Sequence, residues 1–173
     1  ILFIIIWQRL DNNYRSKLKK DKFLLSVPLM GTLILYKESA IFSRTLGALL
    51  GAGIPLIRSL RVSKEVVLNS FIVKHLDDVE EDVRGGTGLG LSLEKTGIFP
   101  TLLHQLVAVG EESGRTSSIL IQSANTFDNL VRNQMSSIVS ALQPALIIFL
   151  AIAVGGITIT MLSAVFSMNA VEF

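Results

Sequence analysis

The sequence predicts an all-α protein: an antiparallel six-helix bundle followed by a transmembrane helix. β-structure signals are nearly absent, since the chain contains no Asn-Gly or Asp-Gly hairpin turn and no sustained apolar–polar alternation. Apolar residues instead recur at helical spacing between glycine and proline punctuation. Half of the residues (50%) are apolar and only 17% are charged, whereas a soluble domain carries roughly 25% charged residues. Part of the apolar surplus is therefore expected to lie in a membrane.

The N-terminal region predicts the exit from a bilayer. Residues 1–7, ILFIIIW, are too few to span a membrane, and we expect them to be the end of a truncated transmembrane helix with Trp7 at the interface. Residues 8–27 are expected to form a basic juxtamembrane linker, whose excess of positive charge favours contact with anionic lipid. Its basic residues are Arg9, Arg15, Lys17, Lys19, Lys20 and Lys22, opposed by Asp11 and Asp21.

Residues 28–143 are predicted to form one six-helix domain with short connections. Its helices are expected at 28–50, 55–69, 70–84, 91–96 and 101–112, with a sixth that begins near Thr116 and continues toward the membrane. The third has the clearest periodicity, because Ile72, Leu76, Val79 and Val83 share one helical face. The inner face of the fifth is expected to include Leu102, and Val62 is a further candidate on the second.

The strongest membrane signal is Ala145–Phe166, which contains 22 residues and no charge. A helix of that length spans roughly 33 Å, enough to cross a hydrocarbon core of about 30 Å. We expect a transmembrane helix at 144–167 and a short periplasmic tail at 168–173. The basic residues before the domain and their absence after Phe166 predict a cytoplasmic domain by the positive-inside rule. A buried core helix is the alternative for this segment.

No motif indicates catalysis. The chain has no cysteine and no G-K-[ST] phosphate loop, and the glycines at 86, 88 and 90 do not form G-x-G-x-x-G. The two imidazoles, His75 and His104, lack the H-E-x-x-H spacing of a zinc site. The basic stretch lacks a series of aromatic residues interleaved with its charges for base stacking, which disfavours nucleic-acid binding. We expect no catalytic, cofactor-binding or metal-binding residue.

Two acidic groups need an explanation. The run at 77–82 is expected to be a solvated face, with a docking face for a basic partner or a weak divalent-cation site as alternatives. Glu111 lies near a helix C-terminus, where a carboxylate opposes the macrodipole and needs a partner. Arg44 or Arg115 could supply one. Because Arg44 and Glu111 both neighbour apolar positions, we predict that they pair inside the bundle.

Three strings, in order, resemble one known family. They are FSRTLGALLGAGIPLIRSL (42–60), VRGG…GIFP (83–100) and VAVGEESG (107–114). With the terminal span led by Pro144, they are similar to the inner-membrane platform proteins of bacterial type II secretion systems and type IV pilus assembly machines. The residues that match the family pattern, and are structural or partner-contact candidates, are Arg44, Gly53, Pro55, Asn69, Gly86, Pro100, Gly110, Glu111 and Gly114.

The resemblance implies a non-enzymatic, multi-pass protein of the bacterial inner membrane with two related cytoplasmic domains, this chain holding the second. Such a platform contacts a hexameric cytoplasmic assembly ATPase and other inner-membrane assembly proteins, couples the ATPase to extraction of pilin or pseudopilin subunits, and is expected to be a homo-oligomer. Gly88 and Gly90 depart from the family pattern, which should loosen their turn, and Gln143 stands where the family usually has Glu.

Two other classes fit the sequence less well. A small-solute transporter or channel would need ionisable or broken-helix features in the membrane, and Ala145–Phe166 contains no charge. A membrane-bound signalling kinase would need a phosphate loop or a phosphoacceptor histidine with its nucleotide-binding partner, and the sequence shows neither.

Overall fold

The computed structural model describes the backbone of residues 14–169 and the side chains of 17–161 except 141 and 145. The predicted end of a membrane helix at 1–7 and the end of the predicted tail, 170–173, lie outside the described residues. The helices are α1 (Tyr14–Ser26), α2 (Met30–Gly51), α3 (Leu56–Glu65), α4 (Ser70–Arg84), α5 (Leu89–Thr96), α6 (Thr101–Glu112) and α7 (Thr116–Asn169). No strand occurs between residues 14 and 169, which confirms the all-α class.

The observed helices differ from the expected ones by more than two residues at two places. Most of the segment predicted as a basic linker, 8–27, is helix α1, to which the sequence analysis assigned no secondary structure. Helix α3 ends at Glu65, four residues earlier than expected, because Asn69 belongs to the start of the next helix. Its side-chain oxygen accepts hydrogen bonds from the backbone N–H groups of Phe71 and Ile72, as expected of an N-cap residue.

A sharp elbow joins α1 to α2, whose axes meet at 111°. Leu29 lies in the elbow with φ 69° and ψ −52°, and the Met30 N–H donates to the Pro28 carbonyl at 2.9 Å. This is a left-handed (φ > 0) γ-turn, a rare and strained conformation. Gly31 allows the tight approach, because a Cβ atom there would lie 2.0 Å from the carbonyl oxygen of Leu25. The elbow is therefore fixed by a strained leucine and a required glycine.

The core confirms the predicted periodicity of α4, since Ile72, Leu76 and Val79 are buried. They pack with apolar side chains from the other helices: Phe42 and Leu46 of α2, Leu60 of α3, Leu89 and Leu93 of α5, Leu103 and Val107 of α6, and Leu120 and Phe127 of α7. The prediction that Val62 and Leu102 lie on the inner faces of their helices is wrong. Both are about 40% exposed, because Leu60 and Leu103 occupy the inward positions of their helices.

The chain divides after Val131 into two compact units. The first contains α1 to α6 and the start of α7. In the second, the large apolar side chains between Leu146 and Met161 are mostly exposed. Among the described residues, Thr116–Met161 is the helical stretch long and apolar enough to cross a membrane, and none of its most apolar window is buried. Helices α1 and α2 together pass the same test as a bent pair, but Leu33, Phe42 and Leu46 of α2 lie in the core.

Candidate functional site

Glu111 caps the N-terminus of α5. Its Oε1 accepts a hydrogen bond from the backbone N–H of Leu89 at 2.6 Å, and its Oε2 accepts one from Gly90 at 2.8 Å. The first N–H groups of a helix have no partner within it and carry the positive end of the macrodipole. Gly88, the N-cap residue, offers no side-chain cap of its own. The carboxylate of Glu111, at the end of α6, takes that role.

The predicted ion pair between Arg44 and Glu111 is wrong. The guanidinium of Arg44 instead donates to the Oδ1 of Asn125 at 3.1 Å and to the carboxylate of Asp128, both on α7. The side chains of Arg44 and Asp128 are each nearly half exposed. The expectation failed because it gave Glu111 a charged partner, whereas backbone N–H groups at a helix N-terminus satisfy a carboxylate equally well.

Gly90 sets the distance between α5 and α6. A Cβ atom at Gly90 would lie 2.8 Å from the backbone of Ala108, closer than real Cβ contacts. A Cβ atom at Gly88 would lie 3.2 Å from the Oε2 of Glu111. The expectation that these two glycines loosen the turn is therefore wrong at Gly90, where the absence of a side chain permits close packing and brings the α5 amides to Glu111.

The other residues of the family pattern lie at helix ends. Gly53, Gly86 and Gly114 have φ values of 78°, 94° and 67°, which glycine adopts at little cost. The carbonyl oxygens of Pro55 and Pro100, the N-cap residues of α3 and α6, accept hydrogen bonds from Ser59 and Leu103. Gly110 is buried, and a Cβ atom there would lie 3.1 Å from the Cα of Thr116.

Two acidic side chains that the sequence analysis did not single out converge on the start of α4. The carboxylate of Asp21 on α1 accepts a hydrogen bond from the N–H of Ser70 at 2.7 Å, and that of Glu38 on α2 accepts one from Leu68 at 2.9 Å. Burial raises the pKa of Glu38, and the Leu68 hydrogen bond only partly opposes it. With Asn69, these groups join three helices at one helix start.

The acidic run at 77–82 is largely occupied by ion pairs. The buried carboxylate of Glu80 contacts Lys64, Arg61 and Arg84. The hydrogen bond from Lys64 lowers the pKa of Glu80 by more than burial raises it. Burial by itself would lower the pKa of Lys64, but hydrogen bonds to Asp77 and Glu80 raise it overall.

Asp82 forms a further ion pair with Lys95, and the carboxylate of Asp78 lies 3.4 Å from the Nδ1 of His75. Within the part of the chain that the structure describes, no group of three or more His, Asp or Glu side chains is arranged to hold a metal. The cation-site alternative therefore has no geometric support among those residues.

A shallow depression adjoins the Glu111 cap. It has a volume of about 300 Å³ and lies beside the α6–α7 turn, lined by Leu50, Leu56, Glu111, Gly114, Thr116 and Ser117. The carboxylate that borders it already accepts two backbone hydrogen bonds. Glu111 therefore serves to hold the ends of α5 and α6 together. Among the residues that line the depression, no side chain is positioned for acid–base or nucleophilic chemistry.

A model of a known protein family matches most of the chain, including the Glu111 cap. Residues 42–164 match the family model described as type II secretion system (T2SS), protein F. The chain belongs to this family. The matched range contains both Arg44 and the Glu111 cap, so these two sets of contacts lie within the family domain.

Individual relatives come from both kinds of machine. The chain is 33% identical to the type II secretion system protein F of Pseudomonas aeruginosa, over 90% of this chain and 40% of that protein. It is 34% identical to the protein of the same name in Xanthomonas campestris, over 80% of this chain and 35% of the relative. The type IV pilus assembly protein PilC of Pseudomonas aeruginosa is 27% identical over 86% of this chain and 40% of its own length. The chain thus spans about two fifths of the curated relatives it matches.

Proposed function

We propose that this chain is the second cytoplasmic domain and terminal membrane helix of a non-catalytic inner-membrane platform in a type II secretion or type IV pilus machine. In that role it couples a cytoplasmic hexameric ATPase to the extraction and polymerisation of pilin or pseudopilin subunits. The names of its relatives support the type of machine. The observation that carries the proposal is the match of residues 42–164 to the family model of type II secretion system protein F.

Helix α7 supports a mechanical role. Its first part contributes Leu120, Ala124 and Phe127 to the core, and the same helix continues through Pro144. We propose that α2 to α6 and the first part of α7 form an antiparallel six-helix domain at 28–143 that faces the cytoplasm. Residues 144–167 cross the inner membrane of a multi-pass protein, and 168–173 lie in the periplasm. A force applied to the domain would then reach the bilayer through one continuous helix.

Site-specific crosslinking in the bacterium tests the proposal. The chain has no cysteine, so one cysteine introduced into it can carry a photo-crosslinker at a known position of this chain. Positions for it are Ala52, Lys74, Glu94 and Val109, which are exposed and lie on different elements of the first unit. Ile152, exposed in the apolar segment, is the matched control.

At least one of the four positions should crosslink to the assembly ATPase or to an inner-membrane assembly protein, and position 152 should crosslink to neither the ATPase nor another cytoplasmic protein. ATPase crosslinks at position 152 would contradict the proposed topology. Deletion of the gene should abolish secretion or piliation, and a deletion strain that retains both would overturn the platform role itself.

A further inference from the structure

The outward face of α1 combines positive charge with exposed apolar side chains. Lys19, Lys22 and Phe23 are exposed on this helix, and Phe23 is 70% exposed. The elbow that follows continues the apolar character, because Leu29 is 62% and Met30 is 48% exposed. We refer to these five residues as the elbow surface. Helix α1 has no continuous apolar face, but lysines beside exposed large apolar side chains at the elbow suit a membrane interface, where ammonium groups meet the headgroups and apolar side chains lie below them.

The charge of this region is strongly one-sided. Between residues 17 and 30 the chain has four lysines and one acidic residue, Asp21. The carboxylate of Asp21 accepts the Ser70 N–H hydrogen bond on the inner side of α1, so it already has a partner. The ammonium of Lys22 lies 5.6 Å from the centre of the Phe71 ring, which holds it at the surface. The outward field of α1 is therefore positive.

The elbow surface is held in place by the fold. Asp21 ties α1 to the start of α4, and Gly31 permits close contact of α2 with the carbonyl of Leu25. Leu29 remains exposed although its left-handed conformation is unfavourable for leucine. Strain that a structure maintains at an exposed position is often associated with binding.

We propose that the elbow surface docks on a membrane containing anionic lipid, with Lys19 and Lys22 near the headgroups and Phe23, Leu29 and Met30 in the interface. An acidic protein would match the lysines but would leave three large apolar side chains to find separate pockets. A lipid interface binds the lysines at its anionic headgroups and the three apolar side chains just below them, on one surface. The inference rests on the proposed membrane location, since the span must first bring the domain to a bilayer.

The experiment places an environment-sensitive fluorophore on single cysteines of the full chain in lipid nanodiscs. The labelled variants are Phe23→Cys and Met30→Cys. The matched controls are Leu91→Cys and Val109→Cys, which lie at positions 52% and 55% exposed in the same unit. Ile152→Cys reports whether the apolar segment is inserted. Each is measured with phosphatidylcholine alone and with added phosphatidylglycerol, with and without a lipid-borne quencher.

The proposal expects blue-shifted, quenched emission at positions 23 and 30 only when phosphatidylglycerol is present. Positions 91 and 109 should not change. Salt should reverse the effect, because the screening length falls from about 10 Å at 0.1 M to about 3 Å at 1 M. Replacing both lysines, Lys19→Gln with Lys22→Gln, should lower the docked-to-free ratio about thirtyfold, or about fivefold for each lysine. The control double variant, Arg58→Gln with Arg115→Gln, should leave the ratio unchanged.

The other outcomes are distinguishable. If position 152 is quenched while position 23 emits as in water in both lipids, the segment is inserted and the elbow surface does not bind lipid, which overturns the proposal in favour of a protein partner. If position 152 is not quenched, the membrane location fails and the inference fails with it. Equal docking with and without phosphatidylglycerol would overturn the role of the lysines.

Discussion

The hydrogen bonds of Glu111 lead to a sharp prediction about the stability of α5. Replacing Glu111 with alanine leaves the N–H groups of Leu89 and Gly90 without their acceptors. Hydrogen bonds to a charged group contribute about 1.5–3 kcal/mol, and a negative charge at a helix N-terminus adds about 0.3–1 kcal/mol. The two contributions overlap, and the group is only half-buried. We therefore expect Glu111→Ala to lower the local free energy of opening by about 2–3 kcal/mol.

Glu111→Gln separates charge from shape, because it retains one acceptor oxygen and presents an NH₂ group to the other amide. It should cost about half as much as the alanine variant. The matched control is Glu112→Gln, since Glu112 is the exposed neighbour at the end of the same helix and should change little. Hydrogen exchange of the full chain in nanodiscs, followed on peptides that contain residues 85–96, measures the effect at the cap itself. A loss of 2 kcal/mol corresponds to about thirtyfold faster exchange.

Two results would refute this reasoning. If Glu111→Gln and Glu112→Gln exchange at the same rate in this region, the carboxylate does not cap α5. The second test is the double variant of Arg44→Ala with Glu111→Ala, whose losses should add because the two side chains have different partners. If the double variant loses much less stability than the sum of the two single losses, the two side chains interact, and the ion pair predicted from the sequence is correct.

Three further predictions concern the interior and are measured by thermal unfolding of the full chain in detergent. Gly90→Ala should cost about 1–3 kcal/mol through overpacking against Ala108, and equal stability would mean that the helices shift apart freely. Ser43→Ala should stabilise by about 1 kcal/mol, because the buried Ser43 hydroxyl has no hydrogen-bond partner among the described residues; destabilisation would indicate that it has one. Glu80→Gln should cost about 2 kcal/mol at pH 7. Because the folded-state pKa of Glu80 is lowered, the difference from wild type should begin to shrink as pH falls below the usual value of 4.5 and disappear only once pH has passed below the lowered pKa. A loss that stays constant through this acid range would exclude the Lys64 hydrogen bond as the cause.

Much of the fold could be predicted from local sequence. Apolar spacing gave the inner face of α4, and glycine and proline located the ends of α2 and α6, because each signal acts within a few residues. Helix α1 was missed because its charged residues show little amphipathic pattern. Its docking depends on Asp21 reaching Ser70, a contact 49 positions away. Contacts of that kind leave no periodic trace in the sequence.

The candidate site shows the same limit at a single residue. Sequence reasoning correctly found that Glu111, at the end of its own helix, needs a partner. Only arginine side chains were considered as partners, because side chains distinguish one residue from another in a sequence. Backbone N–H groups such as those of Leu89 and Gly90 occur in every residue except proline, so the sequence does not mark them. The clue was the Gly88–Leu–Gly90 segment, where a helix begins without a capping side chain.

Four residues of the family pattern, Gly53, Gly86, Glu111 and Gly114, lie at helix ends, and we expect them to be weak candidates for contacts with other proteins. Gly53, Gly86 and Gly114 have no side chain to offer, and the carboxylate of Glu111 faces the amides of α5. A substitution at Glu111 that abolishes secretion or piliation would thus be expected to act through folding, and its effect should follow the loss of α5 protection. Residues that bind a partner should behave in the opposite way, losing function while exchange at 85–96 remains slow. They are to be sought on exposed surfaces away from these helix ends.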